Sequence, residues 1–97
     1  MRITLNRSGG LTGMQSTASL EVEKLPGKKA SEVRRLIDAS GFFDLPKTIS
    51  VKSPQPDRFQ FELTIEDAQR SKTVSIAEQA APKELKNLLS WLRKNLK

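Results

Sequence analysis

Apolar and polar positions alternate from the start of the chain. Ile3 and Leu5 fall on one side of residues 2–7, and Arg2, Thr4 and Asn6 on the other. A period of two predicts a half-buried strand. Residues 15–23 repeat the pattern, with Ala18, Leu20 and Val22 against Ser19, Glu21 and Glu23. Between them lies Ser8-Gly9-Gly10-Leu11-Thr12-Gly13, a turn signal with glycines where positive φ or close backbone approach is needed. An antiparallel hairpin follows as the default. The clearest alternation is residues 58–66, where Phe59, Phe61, Leu63 and Ile65 alternate with Arg58, Gln60, Glu62, Thr64 and Glu66. This strand is expected to be central. After a short turn at residues 67–69, Val74 and Ile76 continue the period in a fourth strand over residues 71–77.

Two segments switch to the helical period. After Leu25-Pro26-Gly27, residues 28–40 place Ala30, Val33, Leu36 and Ile37 on one stripe, with Lys29, Glu32, Arg34, Arg35 and Asp38 outside. Glu32 and Arg35, three apart, form a mild local pair. Gly41 suits the residue that ends a helix in the left-handed conformation, and Phe42, Phe43 and Leu45 are expected to plug the end of the core. Pro82 opens the second helix. Its stripe is Leu85, Leu88, Leu89, Leu92 and Leu96, flanked by Trp91, with Lys86, Arg93, Lys94 and Lys97 outside. Cations toward the C-terminal end suit the helix dipole. Residues 47–57, with Pro54 and Pro56, read as a long loop that holds at most a weak extra strand at Ile49 and Val51.

One apolar face per strand and one stripe per helix predict an α+β fold. A single antiparallel-rich four-stranded sheet, β-β-α-β-β-α, carries both helices on one face and leaves the other open. Strand order is not legible from the pattern. If the first helix returns up the sheet, three connections share one end. These are the glycine-rich loop, the Phe42–Asp57 segment and the link at residues 78–81. A surface built of loops belongs at that end.

With 97 residues the chain is expected to be one domain, residues 1–97. It contains no His and no Cys. That removes disulfides, thiol nucleophiles, catalytic His and zinc sites built from His or Cys. Its acids are not clustered for a carboxylate-bound metal. A binding or regulatory module with no cofactor and no metal is expected rather than an enzyme. No apolar run has signal-peptide or membrane-span length, so a cytoplasmic location and no membrane partner are expected.

The formal charge of +6 invites a nucleic-acid or acidic-protein partner. The open sheet face opposes the first. Its positions are Arg2, Thr4, Asn6, Arg58, Gln60, Glu62, Thr64 and Glu66, with no aromatic for bases to stack on. No nucleic acid is therefore expected as partner, and the basic second helix reads first as a solvated face. A basic nucleic-acid-binding or adaptor module remains the alternative function. Ser8–Gly13 reads either as a flexible hairpin loop or as a binding loop, since Leu11 between glycines has no evident core to fill. A phosphate cradle is a weaker reading, because no strand–loop–helix context and no G-K-[ST] follow. Residues 47–57 read as a spacer or as a binding loop whose prolines reduce its ordering cost. Asp57 and Arg58 read as a local ion pair.

The ordered set Arg2-Ile3-Thr4, Arg7-Ser8-Gly9-Gly10, Leu36-Ile37-Asp38, Phe42-Phe43, Leu45-Pro46, Pro56-Asp57-Arg58-Phe59, Leu63-Thr64, Ala81-Pro82 and Trp91-Leu92 resembles emfourin-type proteins over essentially the whole chain. The resemblance implies an α+β inhibitor of protealysin-like, thermolysin-family zinc metalloproteases, often encoded beside its protease in bacteria. A monomer is expected for the free chain. Such proteases have a deep cleft with an apolar pocket for Leu or Phe. On that basis the expected protease-binding residues are Arg7, Ser8, Gly9, Gly10, Leu11, Thr12, Ile49 and Asp57. Leu11 would fill the pocket and Gly9-Gly10 would approach the cleft walls. Ser8 and Thr12 would bond to its rim, and the 47–57 loop would add a second contact.

Overall fold

The computed structural model describes residues 1–9, 16–49 and 59–96. Among these residues the strands are β1 (Arg2–Gly9), β2 (Ser16–Glu21), β3 (Thr48–Ile49), β4 (Phe59–Glu66) and β5 (Ser71–Ala77), and the α-helices are α1 (Gly27–Ser40) and α2 (Lys83–Asn95). The five strands form one sheet in the order β2-β1-β4-β5-β3. Every pairing is antiparallel except β3 with β5. The fold is thus α+β, and the expected four strands become five. The weak alternation at Ile49 is a two-residue strand, short because only Thr48↔Ser75 and Ile49↔Ile76 pair.

β4 is central, and Phe61, Leu63 and Ile65 are buried on it. Each withdraws enough apolar surface to contribute about 1.5–3 kcal/mol. Ile3, Leu5, Val74 and Ile76 face the same way, and with Val33, Ile37, Leu85, Leu88, Leu89 and Leu92 of the helices they form one core. The opposite sheet face is polar; there the Thr64 and Thr73 hydroxyls bond to each other at 2.8 Å. Val22 is buried as its alternation requires, although its backbone has left the strand for a 3-10 turn over Val22–Lys24. Gly41 stops α1 at φ 62°, its N–H donating to the Asp38 carbonyl. Pro82 is one position earlier than expected, at the N-cap of α2, where its carbonyl accepts from Lys86 N–H at 2.8 Å.

The course of α1 differs from the expectation. It does not climb the sheet; it crosses it. The helix follows the Val22–Lys24 turn, where Val22 N–H donates to the Met1 carbonyl at 2.9 Å beside β1 and β2. It ends at the Phe42–Asp44 turn, whose Phe43 and Leu45 carbonyls accept from Lys72 Nζ on β5. Arg70 lies 3.7 Å over the Phe43 ring. Both corners belong to the end of the sheet where Glu21, Arg2, Glu66 and Ser71 share a row. Fourteen residues span about 21 Å, enough to pass four strands spaced about 4.8 Å apart. Residues 42–47 therefore sit at the opposite end from that expected. β3 then runs parallel to β5 and carries the chain back to the loop end.

Glu32 also departs from its expected solvent position. It is half-buried, and its Oε2 accepts the Trp91 Nε1–H at 3.2 Å, tying α1 to α2.

Candidate functional site

Strand register brings the predicted elements together at one end of the sheet. Ser16, Arg7, Phe61, Ile76 and Ile49 form a row across all five strands. Beyond it Gly9 pairs with Phe59, and Gln60 with Ala77. The ends that flank residues 10–15 and 50–58, and the 3-10 turn Glu78–Ala80, thus converge at this end. Of the expected site residues, Arg7, Ser8, Gly9 and Ile49 are placed here, while Gly10, Leu11, Thr12 and Asp57 lie outside the described residues.

The pleat sends the neighbours Arg7 and Ser8 to opposite faces. Arg7 shares the helix-covered face with Ile3 and Leu5. It lines a groove of about 460 Å³ between the β1–β2 corner and the C-terminal end of α2. The floor is Leu5, Ala18 and Leu96, and Arg93 and Lys94 share the rim with Arg7. In the sequence pattern these helix cations read first as a solvated face. Their juxtaposition with Arg7 depends on strand order, which the pattern does not carry. Ser8 looks out on the open face, beside Asn6, Gln60, Glu62 and Ser75, which border a polar hollow of about 140 Å³. Asn6 Oδ1 is buried there with no partner among the described residues. Ile49 is half-buried and packs against the core, so it anchors the start of the 50–58 segment.

Among the described residues, the two carboxylates with shifted proton affinities, Glu23 and Asp67, lie away from this end. The ammonium of Met1 and a backbone N–H hold Glu23 below the ordinary glutamate range. Backbone N–H groups of Gln69 and Arg70, each 2.9 Å from Oδ1, hold Asp67 below the ordinary aspartate range. Both shifts have structural causes. Among the described residues no group of three or more Asp or Glu is arranged to hold a metal ion. No helix among them is long and apolar enough to cross a membrane.

A loop-bearing sheet end, with a cationic groove on one face and hydrogen-bonding groups on the other, defines a small α+β binding domain. The Emfourin family model matches residues 5–93. The chain belongs to the Emfourin family. A solved structure described as "Emfourin (M4in) from Serratia proteamaculans, M4 family peptidase inhibitor" is 17% identical, with 99% of this chain and 89% of that chain covered and a TM-score of 0.49. No curated protein matches the chain significantly.

Proposed function

We propose that this chain is a protein inhibitor of an M4 (thermolysin-family) metallopeptidase, and that it blocks the active-site cleft with the loop-bearing end of its sheet. Membership of the Emfourin family carries the first part, since the Serratia protein of that family name is an M4 peptidase inhibitor.

The second part is supported by the convergence of Gly9, Ser16, Ile49 and Phe59 at one end. A hairpin connection and a Pro-containing connection are both anchored there by paired backbone. Rigid anchoring lowers the ordering cost of a protruding loop on binding. Leu11 is the apolar side chain offered to the pocket of the cleft, and Gly9-Gly10 keep the approaching chain slim. In this reading Ser8 and Thr12 bond to the cleft rim, and Asp57 belongs to the second contact. With neither His nor Cys in the chain, contact with the peptidase rests on shape, backbone and oxygen groups. The net charge of +6 would speed encounter with an acidic enzyme more than it deepens affinity.

Inhibition constants for Leu11→Ala and Gly10→Val test the mechanism. Leu11→Ala is expected to weaken inhibition by about 1–3 kcal/mol, the scale of a lost interface anchor, with unchanged thermal unfolding. If both variants inhibit as the parent does, this loop is not the anchor.

A further inference from the structure

β2 is an edge strand, and among the described residues nothing pairs with its outer side. Exposed edges are ordinarily blunted by charge, proline, a bulge or brevity. The other edge follows that rule, since β3 is two residues long. β2 does not: Ser16, Thr17, Ala18, Ser19 and Leu20 carry neither charge nor proline, and a charge first appears at Glu21. The side chains of Ser16, Thr17, Ala18 and Ser19 are small, so the backbone N–H and C=O groups there are within reach of another chain.

The same strand forms one wall of the cationic groove. Ser16 and Ala18 line it from β2, Leu5 and Leu96 supply apolar surface, and Arg93 and Lys94 stand on its rim. Among the described residues that line it there is no carboxylate. Glu78 meets Arg93 at 3.9 Å from outside the groove, and Lys94 has no ion-pair partner among the described residues. A strand added beside β2 would send every second side chain into this groove and the others to the polar face. We propose that the β2 edge and the groove together dock an extended acidic segment of the protein partner, added as a sixth strand with its carboxylates directed at Lys94 and Arg93. Backbone pairing supplies the affinity and the cations select an acidic sequence. The groove starts at the loop end, so one partner can engage both surfaces. Only the identification of that partner as a peptidase rests on the inhibitor reading.

The test is an amide chemical-shift titration of the full chain with a blocked peptide alternating valine and glutamate, compared with one alternating valine and lysine. The expected result is saturable shifts confined to residues 16–20 and 90–96 with the glutamate peptide. These shifts should weaken about tenfold in Lys94→Glu or Arg93→Glu, or at high salt in the parent protein. The lysine peptide should leave the spectrum unchanged. Four results overturn the proposal. One is no shift with the glutamate peptide; another is shifts centred on the β5 side or the polar sheet face; the third is equal response to both peptides. The fourth is self-pairing of β2 edges, seen as dimerisation without peptide by sedimentation. Binding of the glutamate peptide without inhibition of any M4 peptidase supports the groove and sinks the inhibitor reading. Inhibition unaffected by Lys94→Glu, with no peptide binding, does the reverse.

Discussion

Leu63 and Ile65 have no exposed surface on the central strand, so each is held on both sides by neighbours that cannot collapse freely. Leu63→Ala is expected to cost about 2–5 kcal/mol, read as a lower urea midpoint at unchanged m-value. Gly41 presents a different single-residue requirement. Its φ of 62° is the left-handed conformation, and a Cβ there would meet nothing within 4 Å. Backbone strain alone sets the cost, so Gly41→Ala should lose about 1–2 kcal/mol. Gly41→Asn should recover part of it, because Asn tolerates that region. A side-chain clash would instead penalise Asn more than Ala. At Leu11 the expected cost falls on inhibition and not on folding, which separates contact residues from core residues in one pair of assays.

Among the elements, the turn between β4 and β5 gives a pH signature. The N–H groups of Gln69 and Arg70 bond to ionised Asp67 and lower its pKa in the folded state. Its contribution is therefore present above the unfolded-state pKa and lost as pH falls through the folded-state value. Asp67→Asn should flatten the acid limb of a melting-temperature profile and leave its slope near neutrality unchanged. The seam between the helices rests partly on Trp91 and Glu32; Trp91→Phe removes the N–H donor and part of the ring, and should cost at least the about 0.5–1.5 kcal/mol of that hydrogen bond. What was legible in the sequence divides along the same line. Alternation at Phe61, Leu63 and Ile65, or the stripe of Leu85, Leu88, Leu89 and Leu92, is a local record of burial, and these elements stand where the pattern puts them. The crossing of α1 is not local: it follows from Phe43 and Leu45 meeting Lys72 and Arg70, residues about thirty positions apart. The parallel pairing of β3 follows from that crossing, and two residues are too few for a period to register.

For the whole molecule, the strand ends that flank residues 10–15 and 50–58 share one end of the sheet, and the helix-side groove starts there. The sequence foretold that the glycine-rich and proline-containing segments share an end. It missed the route, because the first helix crosses the sheet and the short third strand makes the return. Arg7 illustrates the same limit: its position in the chain was singled out, but its company of Arg93 and Lys94 required the strand order. Inhibition of an M4 peptidase is the role proposed for this surface. The decisive measurement is a titration of the purified chain into a fixed amount of a protealysin-like peptidase, with peptide cleavage followed at each step. A linear loss of activity that ends at a fixed stoichiometric ratio is expected. Unchanged cleavage by several such peptidases with the chain in excess would rule the inhibitor role out.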